Sequence, residues 1–336
     1  MARFRIATPE EPGLDLSYEN EALAGLDAEI VPCPPSAFAT ADALYPRNIA
    51  VTADLIATLT SCKLIAAGGV GVDKIDVPAA TAKGIPVTNV PHTFIEEVAD
   101  HAMTLLLAGF RRVVEQDRMV REGRWREGRP ALSAIPRLMG QTLGLIGFGH
   151  IPRAVATRAR GFGLRMLAHD PYVEELVMPP YGVVPATLEE VCAQSDFISM
   201  HVPGTSGTDK MLTDKHFALM KPTALFINTG RGTTVDEAAL IAALSENRLA
   251  HAALDVLEVE PPGHNNPLLG MTQVTLSAHV ASASARFDPA RRRHVGRELA
   301  LAAKGLWPMA CVNPSVLERS GLRRWQPISM ERGPNS

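Results

Sequence analysis

Cysteine, net charge and long apolar runs are all scarce in this chain, and each scarcity excludes a class of protein. Four cysteines in 336 residues form no Cys-x-x-Cys pair, so we expect reduced thiols and a cytoplasmic location. A net charge of −3 offers no basic field for nucleic acid. The longest apolar run, residues 102–110, is too short to cross a membrane, and we expect no secretory signal.

Strong compositional bias is also missing. The 26 glycines and 26 prolines follow no period, which excludes a collagen-like chain, and 21% charged residues is ordinary for a globular protein. What the chain does have is length. At about 150 residues per domain, its 336 residues predict two domains.

Short apolar runs alternate with helical stretches in the first third of the chain, which is the βαβ rhythm of a parallel α/β sheet. The predicted strands are residues 4–7, 29–31, 63–67 and 85–89. A helix is predicted at residues 77–83, with Gly84 at its end. A longer pattern over residues 96–123 predicts one helix whose second half enters solvent.

A second βαβ series follows an Arg-, Gly- and Pro-rich connection. Its predicted strands are residues 143–146, 164–168, 197–200, 224–227, 252–256 and 274–276. Its predicted helices are residues 153–161, 188–194, 236–246 and 289–304. Six strands with helical crossovers predict a doubly wound, Rossmann-type dinucleotide-binding domain.

A glycine-rich turn joins the first strand of that series to its first helix. Gly147 can form the tight turn, and Gly149 lets the backbone approach a pyrophosphate at the positive helix end. Pro152 stands where the fingerprint has its third glycine, a position that the first helical turn tolerates. Asp170 ends the next strand, where an acid binds ribose hydroxyls and repels a 2′-phosphate, so NAD is favoured over NADP.

Three polar residues each follow a strand of the same series. Arg231, Glu260 and His279 should therefore converge at the carboxyl edge of the sheet, beside the cofactor turn. Arginine offers a planar fork for a carboxylate. Histidine titrates near neutrality, and a neighbouring carboxylate stabilises its imidazolium form. The set predicts hydride transfer to a 2-oxo acid, with His279 as the acid and base.

In these motifs the chain resembles the D-isomer-specific 2-hydroxyacid dehydrogenases over nearly its whole length. The resemblance implies a Rossmann NAD-binding domain inserted in a flavodoxin-like substrate-binding domain. It places the substrate-binding domain at residues 1–107 plus 295–336 and the NAD-binding domain at 108–294. The matching motifs are Gly69-Val70-Gly71-Val72-Asp73, Val98-Ala99-Asp100-His101, Asn228-Thr229-Gly230-Arg231-Gly232, Leu254-Asp255-Val256 with Glu260-Pro261, and Ala278-His279-Val280-Ala281.

The same resemblance assigns roles to individual residues. Arg231, Glu260 and His279 fall at the catalytic positions, and the backbone of Val70 and Gly71 at contacts for the substrate carboxylate. It also implies a homodimer formed through the cofactor domain. The implied cofactor contacts are Gly147, Gly149, His150, Ile151, Asp170, Val202, Thr208, Thr229, Gly230 and Asp255, the last beside the nicotinamide.

Other features favour less specific interpretations. His101 is interpreted as a core or interface residue, since His92, His101 and His201 have no metal-ligand spacing and no metal is expected. The run Arg291-Arg292-Arg293 is interpreted as a solvated helix face rather than a nucleic-acid contact. Two other functions remain open: an NAD-sensing, corepressor-like binding protein, or a relative acting on phosphite or formate.

Overall fold

The computed structural model describes residues 3–324, which form two compact units. One unit comprises Met1–Thr93 with Ala285–Ser336, and the other is Phe94–Ser284. The domain boundaries expected from the sequence, at 107/108 and 294/295, fall inside two helices. The structure keeps each of those helices whole, because each packs on a single unit.

The strands and helices are labelled in chain order. The strands are β1 Phe4–Thr8, β2 Ala28–Pro32, β3 Ala43–Leu44, β4 Ile65–Ala66, β5 Val87–Thr88, β6 Thr142–Ile146, β7 Arg165–His169, β8 Val183–Pro185, β9 Phe197–Met200, β10 Leu225–Asn228, β11 His251–Leu254 and β12 Val274–Leu276. The α-helices are α1 Ser17–Leu23, α2 Ala53–Thr58, α3 Val77–Lys83, α4 Ile95–Phe110, α5 Val113–Arg121, α6 Gly128–Leu132, α7 His150–Gly161, α8 Leu188–Gln194, α9 Asp214–Phe217, α10 Glu237–Ser245 and α11 Phe287–Ala303. Short 3-10 helices occupy Pro35–Thr40, Trp125–Glu127, Glu175–Val177, Pro179–Tyr181, Gly232–Thr234, Pro267–Gly270 and Pro314–Arg319.

The unit that carries both ends of the chain is built on one parallel sheet, in the order β2-β1-β3-β4-β5. This 2-1-3-4-5 order is the flavodoxin-like arrangement, so the predicted fold class is confirmed for this unit. β3 was not predicted, because two apolar residues are too few to form a recognisable run. Buried Phe38, Leu44 and Ile65 lie in its core.

α11 is held to this unit by a buried ion pair. The Arg292 side chain is 6% exposed, and its guanidinium donates to both carboxylate oxygens of the fully buried Glu19 on α1, at 2.9 to 3.1 Å. Hydrogen bonding from Arg292 also lowers the pKa of Asp15 to about 2. The interpretation of this arginine run as a solvated helix face was therefore wrong for Arg292, and it does not fit Arg291, whose side chain is only 19% exposed. It holds for the half-exposed Arg293.

The second unit has seven parallel strands in the order β12-β11-β10-β9-β6-β7-β8. Counted from β6, this is the 3-2-1-4-5-6 order of a Rossmann sheet with one further strand, which confirms the doubly wound domain. β8 was missed because it has three residues, one of them proline. Cores lie on both faces of the sheet, and α4 and α7 cover one of them.

The long helix predicted over residues 96–123 is two helices. α4 ends at Phe110, and Arg112 takes a left-handed conformation with φ of 49° before α5 begins at Val113. A non-glycine residue in that region breaks the run of helical hydrogen bonds. The apolar first half of the pattern is α4, which packs on β10, β11 and α7. The charged second half is α5 and its surroundings.

We expect Arg292→Met to lower the free energy of unfolding by about 3–5 kcal/mol, because it leaves the Glu19 carboxylate buried without its cation. Arg293→Met is the matched control. Its guanidinium is half-exposed and 3.8 Å from Glu21, so the loss should be below about 1 kcal/mol. Urea unfolding measures both, and equal losses would contradict this account of the α1–α11 contact. Adding Glu19→Met to Arg292→Met should restore most of the stability.

Candidate active site

The order of the second sheet reverses between β6 and β9, and this is where doubly wound sheets bind dinucleotides. The glycine turn follows β6, and His201 and Val202 follow β9 at the same edge. Burial lowers the pKa of His201 to about 4, and its Nε2 lies 2.8 Å from the Ser199 hydroxyl. The ring is therefore neutral near pH 7 and adds no charge to the crevice.

The two glycines of the turn have different roles. Gly147 has φ of 92°, and a Cβ there would lie 3.2 Å from the Val202 side chain and 3.3 Å from the His201 carbonyl. Position 147 is therefore glycine because the folded protein leaves no room for a side chain there. Gly149 is the N-cap of α7, and a Cβ there would meet no protein atom within 4 Å. That space in front of a helix N-terminus fits a pyrophosphate.

Pro152 is the third residue of α7 and is buried. The first hydrogen bond of the helix is donated by Arg153 N–H to the Gly149 carbonyl oxygen, at 3.3 Å. The missing N–H of Pro152 therefore costs no helical hydrogen bond, as the sequence predicted. His150 and Ile151 occupy the two preceding positions, at the end of the helix that faces the turn.

The Asp170 carboxylate follows β7 and contacts the glycine turn directly. One oxygen accepts the Phe148 N–H at 2.8 Å, and the other accepts the Tyr172 N–H at 2.9 Å. Asp170 therefore acts as a turn residue as well as a candidate ribose ligand. Each carboxylate oxygen can accept more than one hydrogen bond, so the two functions are compatible.

Thr229 and Gly230 follow β10 and also border the crevice. The Thr229 hydroxyl is buried and has no hydrogen-bond partner among residues 3–324, so a bound cofactor could satisfy it. A Cβ on Gly230 would lie 3.1 Å from the Val202 carbonyl oxygen, so the two loops touch through their backbones. Thr208 is engaged locally and donates its hydroxyl to the Pro203 carbonyl oxygen at 2.5 Å.

Arg231 lies between β10 and the 3-10 helix Gly232–Thr234. Its carbonyl oxygen accepts the Thr234 hydroxyl at 2.6 Å and the Asn228 side-chain amide at 3.0 Å. Its Nη1 donates to the Gly230 carbonyl oxygen at 2.8 Å, which fixes the direction of the guanidinium. A Cβ at Gly232 would overlap the Leu257 backbone at 1.9 Å, so this turn is locked in place.

Glu260 and His279 are brought together, as the sequence predicted. Glu260 Oε2 lies 2.6 Å from His279 Nδ1, while Oε1 accepts the Leu257 N–H at 3.0 Å. Roughly half of the His279 side chain is exposed, at 47%. With Nδ1 held by the carboxylate, Nε2 is the ring nitrogen left to exchange a proton with a ligand.

Asp255 does more than the sequence suggested. Its carboxylate is 1% exposed and accepts three hydrogen bonds, from the Ser277 hydroxyl at 2.5 Å and the N–H groups of Val280 and Ala281 at 3.0 and 2.9 Å. Its carbonyl oxygen accepts the His279 N–H at 2.8 Å. Asp255 thus binds the segment that carries His279. Sequence reasoning missed this role, although a carboxylate directly after a buried strand was its visible signal.

Val70 and Gly71 lie in the other unit, in the loop after β4. The loop is held from β5: the Asn89 side-chain amide donates to the Val70 carbonyl oxygen at 2.7 Å, and Val90 N–H to that of Gly69 at 2.9 Å. Both residues therefore follow the carboxyl end of a parallel strand, where ligands bind in flavodoxin-like sheets.

Within residues 3–324, no group of three or more His, Cys, Asp or Glu side chains is arranged to hold a metal ion. Among the same residues, no helix has the length and apolar character that a membrane span requires. No disulfide joins the four cysteines, and burial raises the pKa of Cys192 to about 12.

The Glu260–His279 contact and the glycine turn lie at one edge of the Rossmann sheet, and the chain is an NAD(P)-dependent dehydrogenase acting on the CH–OH group of donors. Residues 103–281 match the family model described as "D-isomer specific 2-hydroxyacid dehydrogenase, NAD binding domain". The chain belongs to the D-isomer-specific 2-hydroxyacid dehydrogenase family, which confirms the resemblance found in the sequence.

Among curated relatives, a glyoxylate reductase of Korarchaeum cryptofilum is 40% identical over 80% of this chain and 81% of its own length. Two solved structures each have a TM-score of 0.80. An NADPH-dependent glyoxylate/hydroxypyruvate reductase of Sinorhizobium meliloti, in complex with NADP and malonate, is 32% identical over 97% of this chain and all of its own. A D-lactate dehydrogenase of Aquifex aeolicus, complexed with NAD and lactic acid, is 26% identical over 94% and 98%.

The two glycines of the turn can be separated experimentally. Gly147→Ala should destabilise the protein by about 1–3 kcal/mol, because φ of 92° and the Val202 contact both oppose a side chain. Gly149→Ala should keep the parent melting temperature but weaken NADH binding by about ten-fold or more, since only a ligand needs that space. Thermal unfolding and fluorescence titration with NADH measure the two effects. A Gly149→Ala protein that binds NADH as tightly as the parent would contradict the assignment.

Proposed function

We propose that the chain is an NAD-dependent oxidoreductase that interconverts a small 2-oxo acid and the corresponding D-2-hydroxy acid. The contact that carries the proposal is the 2.6 Å approach of Glu260 Oε2 to His279 Nδ1. It lies on the strand edge that also bears Arg231 and the glycine turn. A carbonyl reduction needs both a proton donor and a hydride donor, and a proton donor of this kind has no evident purpose in a protein that merely binds NAD.

His279 and Glu260 supply the proton chemistry. In reduction, His279 Nε2–H donates its proton to the carbonyl oxygen while Glu260 stabilises the imidazolium through Nδ1. In oxidation, neutral Nε2 accepts the hydroxyl proton. A bound nicotinamide supplies or accepts the hydride at the substrate carbon. The 2-oxo acid gains one hydride at its carbonyl carbon and one proton at its carbonyl oxygen, which balances a two-electron reduction.

Arg231 binds the substrate carboxylate in this proposal. Its guanidinium has five N–H donors in a planar fork, and the Gly230 carbonyl oxygen engages Nη1 and sets the orientation of that fork. A second set of donors is proposed at the backbone of Val70 and Gly71. Their support is the family resemblance and the carboxyl-edge position of the loop that Asn89 holds.

We propose NAD rather than NADP as the cofactor. The support is the Asp170 carboxylate at the end of β7, which would bind the ribose hydroxyls and repel a 2′-phosphate. His150, Ile151, Val202, Thr208, Thr229, Gly230 and Asp255 are proposed as further contacts from the family positions that they occupy.

We also propose a homodimer formed through the NAD-binding domain. Its support is a group of apolar side chains on α5 and just beyond it that are about half exposed or more, namely Val113, Val114, Val120 and Trp125. Such side chains are typical of a surface that a second protein covers. The assignment of substrate binding to the unit with both chain ends stays a prediction.

The purified protein should oxidise NADH when given at least one of glyoxylate, hydroxypyruvate, pyruvate or phenylpyruvate, with lower kcat/KM for NADPH. The assay is the loss of NADH absorbance at saturating cofactor. NADH binding without turnover on any 2-oxo acid would contradict the proposal and favour an NAD-sensing protein. Reduction of NAD by phosphite or formate instead would move the activity to another small anion.

Arg231→Gln tests the assigned carboxylate contact in the same assay. We expect kcat/KM for the 2-oxo acid to fall by about 100-fold or more, since a charge-assisted contact contributes roughly 2–5 kcal/mol. The NADH dissociation constant should stay within about two-fold of the parent, because the lost cation faces the substrate. An equal loss of NADH affinity would show that Arg231 serves the cofactor instead.

A further inference from the structure

The segment that carries His279 is attached to one face of α4 at both of its ends. Glu97 and His101 lie four residues apart on α4, and residues with that spacing share a helix face. The Ser284 hydroxyl donates to Glu97 Oε1 at 2.9 Å, and His101 Nε2 lies 2.9 Å from Ser277 Oγ. Residues 277–284 are therefore bound to α4 at both ends, and His279 lies between the two contacts.

The hydrogen bonds around Ser277 have one consistent direction. Its oxygen lies 2.5 Å from Asp255 Oδ1, and an ionised carboxylate only accepts, so the single hydroxyl proton points to Asp255. Ser277 Oγ must then accept from His101, which fixes the His101 proton on Nε2. His101 Nε2 also lies 3.5 Å from Asp255 Oδ1, so its N–H dipole or charge acts on the same buried carboxylate.

This network acts on a residue with an unfavourable backbone. His279 has φ of 52°, a region that costs a non-glycine residue free energy unless its surroundings impose it. Asp255 imposes it from both sides, through its carbonyl oxygen to His279 N–H and its carboxylate to the N–H groups of Val280 and Ala281. The orientation of the imidazole therefore depends on where the Asp255 carboxylate is held.

We propose that His101 is a positioning residue for His279, acting through Ser277 and Asp255, with Glu97 anchoring the far end of the segment. The inference rests on the proposed function only in taking His279 as the acid and base. Packing does not require a histidine at this position. α4 is fixed to the sheet by Ala99, Ala102, Leu105 and Leu106, which lie in the core, whereas the His101 side chain is 22% exposed.

Two substitutions at this position separate hydrogen bonding from packing. Glutamine places an amide N–H near the position of Nε2, whereas methionine fills similar volume without a donor. His264→Gln is the matched control, because His264 is an exposed histidine of the same unit. The measurements are kcat, the KM of the 2-oxo acid, the NADH dissociation constant, the melting temperature, and hydrogen exchange of the Val280 and Ala281 amides.

We expect His101→Met to lower kcat by about ten-fold or more, with the NADH dissociation constant within about two-fold of the parent. The Val280 and Ala281 amides should exchange about ten-fold faster in this variant, because Asp255 holds them less firmly. His101→Gln should restore kcat and exchange to within about three-fold of the parent. His264→Gln should match the parent throughout.

Three results would overturn the proposal. The first is a His101→Met protein with parental kcat and exchange. The second is a glutamine variant as impaired as the methionine variant. The third is a parallel loss of kcat, NADH affinity and melting temperature, which a merely structural role would produce. If the parent reduces no 2-oxo acid, the proposed function fails, but the exchange comparison still decides whether His101 holds the segment.

Discussion

The hydrogen bonds to the buried Asp255 carboxylate are the interactions on which the rest of the site depends. The carboxylate is buried directly after β11 and accepts hydrogen bonds from the Ser277 hydroxyl and two backbone N–H groups, so that residues 277–281 surround it. His279 is held in a left-handed conformation as a result, with its ring turned to Glu260. A buried charge is tolerated when it is fully hydrogen-bonded, and here those bonds fix His279, the proposed acid and base. The hydrogen bonds that satisfy the buried Asp255 carboxylate are thus the same ones that orient the His279 segment.

Much of the fold could be predicted from the sequence, because short, largely apolar runs between helical stretches mark buried parallel strands. β6 and β9 are examples. The misses have a common physical origin. β3 and β8 are too short to show a period. The break between α4 and α5 depends on the left-handed backbone conformation of Arg112, which no pattern in the side chains reveals. The burial of Arg292 depends on Glu19, a residue 273 positions away.

The candidate site, like the fold, could be predicted only in part. Arg231, Glu260 and His279 could be predicted to converge, since a parallel sheet brings the carboxyl ends of its strands to one edge, and the structure places Glu260 and His279 in contact. The contribution of α4 could not be predicted. His101 and Ser277 are 176 residues apart and meet only after the sheet has formed, so a histidine in an apolar helix looked like a core residue. The order of the strands predicts at which edge of the sheet polar side chains come together. The residues that hold those side chains in place are determined by tertiary contacts, which the sequence does not reveal.

The central claim is that these residues direct a hydride and a proton to the two ends of a carbonyl group. It is tested most directly by supplying doubly deuterated [4,4-²H₂]NADH with whichever 2-oxo acid the protein turns over, and analysing the product by mass spectrometry and chiral chromatography. The account predicts one deuterium on C2, none on the oxygen after exchange with water, and the D configuration wherever C2 is a stereocentre. A product without deuterium on C2, or of the L configuration, would contradict it.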